Sequence, residues 1–185
     1  PPFRRQSYIS AYGEGWALYT ERLGDEMGYY RDAYERFGML SYQMWRAARL
    51  VIDTGIHAKV WTREQGQAFF RDNTALSERE ITTEVDRYIG WPGQALSYYL
   101  GQLAIQRARA KAEKALGSKF DVRAFHDTVL STGSVPLPVL EARIDLGYDV
   151  LRRVVAEAGL TDDDLRLDDA ERLVRKETVK AKLRP

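Results

Sequence analysis

Apolar and aromatic residues fall at helical intervals along most of the chain. Tyr8, Tyr12, Trp16, Tyr19 and Leu23 recur at steps of four, four, three and four, the stripe of a helix with a buried face. Ala11 and Leu18 add a second, smaller row, so the helix expected from about Ser7 to Met27 is apolar on most sides, as core helices are. Gly28 is its natural stop. A second helix starts near Asp32 and carries Tyr34, Phe37, Leu40, Met44 and Trp45, with Gly38 inside it. Its pattern continues, directly or after a break, through Ala48, Val51, Ile52 and Ile56. Thr62 with Gln65 and Ser77 with Glu80 have the spacing of capping boxes, each opening a helix. The first of these helices reaches about Asp72. The second shows Ile81, Val85, Tyr88 and Ile89 on one face and ends at Gly90 and Pro92. Pro92 suits the first turn of the next helix, which runs to about Leu116 before Gly117. Asp121 caps a helix with Phe125, Val129 and Leu130, residues 131–136 form a turn, and Pro138 opens a helix through Leu140, Ile144, Tyr148, Leu151 and Val155 to Gly159. From Thr161 onward the chain is strongly charged with few apolar residues, which suits a marginal helix or a disordered tail. No strand alternation, hairpin dipeptide or solenoid-length repeat interrupts this pattern, so the expected fold is all-α, with about seven helices.

Composition narrows the partners. The 185 residues are 44% hydrophobic and 11% aromatic, enough for a domain with a real core. Charged residues make up 30% and nearly cancel, leaving a net charge of +1. A nucleic-acid binder carries a basic excess, so nucleic acid is not the expected partner. The chain has no cysteine, which removes disulfides and thiolate metal sites. No apolar run approaches the ~20 residues of a membrane span. No signal peptide is visible. Pro1 does not look like a natural start, so a fragment of a longer protein is expected; the compartment is not assigned, with the cytoplasm favoured.

Three features carry candidate chemistry. Glu14 is the lone charge between Gln6 and Thr20 and is flanked by Gly13 and Gly15. Each glycine costs a helix about 1 kcal/mol relative to alanine, a cost offset by the close approach of another backbone or a bound group. A carboxylate on this face needs either an arginine or a metal. Trp45, Arg49, Asp53, His57 and Trp61 form a row at steps of four, where neighbours face each other. There Asp53 can accept from the His57 ring and Arg49 can hold Asp53, fixing a tautomer, or the row is an ordinary salt-bridged face. Gly55 hints at a kink or close packing. Gln94, Tyr98 and Gln102 form a polar-tipped row on the Pro92 helix, whose basic end suits a solvated face and the helix dipole. His126, among charged neighbours, reads as a surface histidine.

Tyr12-Gly-Glu14-Gly-Trp-Ala-Leu-Tyr19 followed by Glu21-Arg-Leu-Gly24 resembles the signature of the bacterial DUF885 family, itself similar to zinc-dependent peptidases of the gluzincin kind. The likeness continues in order and spacing through Arg49-Leu-Val-Ile-Asp53-Thr-Gly-Ile-His57, Trp61-Thr-Arg-Glu-Gln65, Asn73-Thr-Ala-Leu-Ser77, Tyr88-Ile-Gly-Trp-Pro-Gly-Gln94-Ala-Leu-Ser-Tyr98 and Pro136-Leu-Pro-Val-Leu-Glu141. It covers roughly residues 3–145. The resemblance implies the C-terminal half of a helical zincin-like metallopeptidase over residues 1–145, with a helix end and charged tail over 146–185.

By that resemblance Glu14 matches the third zinc ligand, and the His-Glu motif that brings two histidines and the base lies upstream of Pro1. This chain has only His57 and His126, so zinc is expected only in the full-length or reassembled protein, with a peptide substrate and the missing N-terminal segment as partners. His57 and Tyr98 are then the oxyanion donors, Tyr98 first, supported by Arg49, Asp53 and Gln94. Tyr99 stands where the family often shows lysine, and Arg4, Arg5 and Arg143 are candidates for a substrate carboxylate. A rival reading is a non-catalytic helical interaction module with an apolar groove where the missing part docks. A weaker one is a structural bundle in which Glu14 pairs with an arginine such as Arg49.

Overall fold

The computed structural model describes residues 6–131 and 133–158. Among them are seven α-helices and no strand: α1 (Ser10–Glu26), α2 (Ala33–Lys59), α3 (Arg63–Asn73), α4 (Glu78–Gly90), α5 (Ser97–Leu116), α6 (Val122–Ser131) and α7 (Leu137–Ala158). The all-α expectation is met. The expected Gly159 stop and the tail beyond it lie outside the described residues.

The helix starts are written in side chains. Asp32 accepts from the amides of Tyr34 and Glu35 at the start of α2. Both expected capping boxes form, Thr62 with Gln65 on α3 and Ser77 with Glu80 on α4, satisfying amides that a helix leaves without partners. α2 is one unbroken helix through Gly38 and Gly55. Gly55 serves close packing and makes no kink, since a side chain there would meet the Trp61 ring at 2.5 Å. One start differs from expectation. Pro92 does not begin α5: Gly93, at φ 79°, turns the chain first, and a short 3-10 turn at Gln94–Leu96 leads into the helix.

The chain forms two compact units, residues 7–106 and residues 1–6 with 107–185. In the first, α2 packs on α1, α3, α4 and the 3-10 turn, and α3 packs on α4. Ala48, Ile52, Phe70, Ile81, Val85, Tyr88 and Ala95 form its buried cluster, edged by Trp45, Ile56, Phe69 and Leu76. Each large side chain so buried contributes about 1.5–3 kcal/mol. In the second unit α6 packs on α7, with Phe125, Val129, Leu140 and Ile144 buried.

Candidate functional site

The site grows from a helix crossing. A side chain at Gly15 of α1 would stand 2.5 Å from the Gly101 carbonyl carbon of α5, and one at Gly101 would collide with the Ala11 carbonyl oxygen. Only two glycines allow backbones this close. The crossing fixes Glu14, next to Gly15, and Tyr98, one turn before Gly101, on the two helices that meet there. Gly13 makes room for a ring instead of a helix, since the Tyr8 side chain lies over it, 2.6 Å from where a Cβ would sit. The Tyr8 hydroxyl hydrogen-bonds to Glu14, and Tyr98 is within electrostatic reach. Although the Tyr8 side chain is largely exposed, slight desolvation, the Glu14 charge, Tyr98 and the hydrogen bond together push its phenol up, so it stays a donor. Glu14 is half-buried, not sunk in the core as its apolar stripe suggests, because the stripe turns Tyr12, Gly15, Leu18 and Tyr19 inward instead.

Arg49 does not serve Glu14. Its Nη2 pairs with Glu84 at 3.0 Å and its Nε donates to the Tyr88 hydroxyl at 2.8 Å. The structural reading in which Arg49 neutralises Glu14 is therefore overturned, and among the described residues no arginine is ion-paired with Glu14. The Tyr88 hydroxyl donates in turn to Glu84 at 2.7 Å. Arg87 shares that carboxylate at 2.9 Å. Burial opposes charge on Glu84, yet the hydrogen bonds from Arg87 and Tyr88 and the two guanidinium charges hold it below its ordinary value. The Tyr88 phenol is pushed strongly up, by burial first, with Arg49 opposing. Gln94 is held by Arg87, whose Nη1 donates to it at 2.7 Å.

The Arg49–Asp53–His57 row does not close on itself. Asp53, buried, accepts the Gly93 amide on both oxygens at 3.1 and 3.2 Å. His57 is exposed, and its Nε2 stands 2.9 Å from the Tyr88 carbonyl oxygen. A carbonyl only accepts, so Nε2 carries the proton. Both side chains thus tie down the α4–α5 junction, because groups at helix ends need partners. The expected Asp53–His57 pairing is therefore replaced by two separate bonds to the backbone.

Tyr98 is held by cations. Its ring centre is 4.6 Å from the Arg49 guanidinium carbon and 5.8 Å from that of Arg46. Arg46 also lies 4.7 Å from the Trp45 ring and 4.9 Å from that of Tyr42. Sequence reasoning missed Arg46, Glu84, Arg87 and Gly101. Glu84 had a signal, standing three and four residues before Arg87 and Tyr88; Gly101 had none beyond being a glycine inside a helix. An open cleft of about 640 Å³ near the start of α2, lined by Glu21, Tyr29, Tyr30 and Tyr42 among others, includes none of the expected residues.

Among the described residues no three His, Cys, Asp or Glu side chains converge to hold a metal. Glu14 with its phenol neighbours provides a single carboxylate, so this chain by itself does not fit a complete zinc centre, which takes at least three protein ligands.

The fold and site define a helical domain in which two glycines press an acid-bearing helix against a phenol-bearing one, backed by an arginine–aromatic cluster. The chain belongs to the DUF885 family, bacterial proteins of unknown function, whose model matches residues 1–144. Among solved structures it is similar to a protein named the putative lipoprotein from Colwellia psychrerythraea, at 45% identity and a TM-score of 0.77 over 79% of this chain. The chain spans 25% of the length of that protein. No curated protein matches it. Among the described residues no helix is long and apolar enough to cross a membrane.

Proposed function

We propose that this chain is the C-terminal part of a zinc-dependent peptidase, in which Glu14 is one metal ligand and Tyr98 a hydrogen-bond donor to the oxygen of the scissile carbonyl. The observation that carries the reading is the Gly15–Gly101 crossing, with Glu14 and Tyr98 around the Tyr8 hydroxyl, within motifs in the order of the family. Tyr8 orients the Glu14 carboxylate by donating to it. Tyr98, flanked by two guanidinium groups, is a neutral phenol that donates without competing for a metal. The histidines and the general base belong to a segment outside this chain, which alone is expected to be inactive.

The test uses the protein in its natural full length. Glu14→Gln is expected to lower bound zinc and abolish peptide hydrolysis, and unchanged zinc content and activity would refute the assignment. Tyr98→Phe is expected to keep the zinc and lower kcat about a hundredfold or more, as loss of an oxyanion donor does.

One observation favours a second reading, a non-catalytic interaction module. Tyr34, Phe37, Leu40 and Met44 of α2 are all exposed, an apolar stripe of the kind that marks a docking surface. Mass spectrometry of the purified protein separates the two: a co-purifying segment with the His-Glu motif supports the peptidase, and its absence the module.

A further inference from the structure

The arginine–aromatic cluster contains more donors than acceptors. Arg49 is 4% exposed, and its Nη1 is buried with no hydrogen-bond partner. The Nε of Arg46, three residues before it, is in the same condition. A buried donor left without an acceptor is costly, and more so when it is charged. Charge is equally unbalanced. Arg49 and Arg87 share the single carboxylate of Glu84, while Arg46 has Glu21 within electrostatic reach but in no ion pair with it among the described residues. Aromatic rings crowd both guanidinium groups, those of Tyr42, Trp45 and Tyr98 around Arg46 and those of Trp45, Tyr88 and Tyr98 around Arg49, with ring centres 4.4–5.8 Å from the guanidinium carbons. With Arg49 Nε and Nη2 bound to Tyr88 and Glu84 and Arg46 Nη1 to the Tyr42 carbonyl, Arg49 Nη1 and Arg46 Nε remain as charged donors suited to a carboxylate oxygen.

We propose that Arg46 and Arg49 form the subsite for the C-terminal carboxylate of a peptide substrate, so that the protein acts on the last residue of its substrates. The inference rests on the peptidase reading and deepens it. Tyr98 connects the two places: its ring centre lies 4.6 Å and 5.8 Å from the Arg49 and Arg46 guanidinium carbons, and Tyr98 is within electrostatic reach of Tyr8, the hydrogen-bond partner of Glu14. The last amide of a peptide precedes its terminal carboxylate by one residue, about 3.8 Å of chain. A carboxylate seated on the arginines therefore directs that amide, rather than an internal one, toward Tyr98. A phosphate would use the same donors, and an inhibition arm separates the two.

The experiment is calorimetric binding to the full-length protein carrying Glu14→Gln, which suppresses turnover, of N-acetyl-Ala-Phe and of N-acetyl-Ala-Phe amide. The free acid is expected to bind at least about tenfold more tightly than the amide, the yield of one charge-assisted hydrogen bond. Arg46→Gln is expected to remove that preference and Arg46→Lys to keep part of it, with circular dichroism confirming that each variant is folded. Equal binding of acid and amide, or a preference that survives Arg46→Gln, overturns the proposal, as does inorganic phosphate displacing the acid at equal concentration. Acid preference without hydrolysis by the unsubstituted protein leaves the subsite standing and sinks the peptidase reading; hydrolysis without acid preference sinks the subsite alone.

Discussion

Replacing Gly101 by alanine tests the crossing on which the site depends. The new methyl would overlap the Ala11 carbonyl oxygen and stand 2.6 Å from the Gly15 Cα. Ordinary contact begins near 3.4 Å, so the helices must part by roughly 1 Å, and the obstacles are backbone atoms with no rotamer to change. Overpacking of this kind costs about 1–3 kcal/mol or more. The better helix propensity of alanine returns about 1 kcal/mol, so the steric term wins. For a chain of this size each kcal/mol moves Tm by about 2–4 °C, and a fall of several degrees is expected in a thermal melt followed by circular dichroism. Gly15→Ala is expected to behave alike, since it meets Gly101 from the other side. Gly38→Ala is the control: a methyl there has nothing within 4 Å, and Tm is expected to rise slightly because the unfolded chain loses freedom. The same 1 Å would move Tyr98 away from Tyr8 and Glu14. If Gly101→Ala melts at or above the parent temperature, as Gly38→Ala does, the contact is not tight and the argument for a fixed site fails.

Two further predictions concern the groups around α4. Glu84 has a folded value below its ordinary 4.5; its stabilisation is complete above that value and is lost as pH falls through the lower folded one. Urea melts across pH 3–7 are therefore expected to show a shallower acid limb for Glu84→Gln, which also loses about 3–5 kcal/mol at neutral pH by stranding buried Arg49; an unchanged limb would count against the pairing. Asp53→Ala is expected to cost about 1–3 kcal/mol in the same melts by orphaning the Gly93 amide, with Asp53→Asn costing less because its oxygen still accepts, and equal losses would show that the charge matters more than the hydrogen bond.

The helices were legible because their signals are local. The Thr62 and Ser77 capping boxes and the Asp32 cap involve residues three or fewer apart, and nothing distant competes for them. The α5 start was not, because Pro92 fits a helix first turn and a tight turn equally well, and the positive φ of Gly93 decides between them. The partners of the candidate residues were not legible. Steps of four place Arg49, Asp53 and His57 on one face, and such neighbours gain only about 0.3–0.5 kcal/mol from pairing at a surface. Across the interface stood the Gly93 amide, unpaired in its turn, and the Tyr88 carbonyl, which accepts the Trp91 amide and has a second lone pair for His57. A buried group without a partner costs more than an exposed ion pair gains, so Asp53 went to the Gly93 amide and Arg49 to Glu84. The same comparison explains why Gly15 stands out in the sequence and Gly101 does not. A glycine beside a charge in an aromatic helix states its own cost, whereas one among the tyrosines and leucines of α5 reveals its purpose only when the opposing backbone is in place.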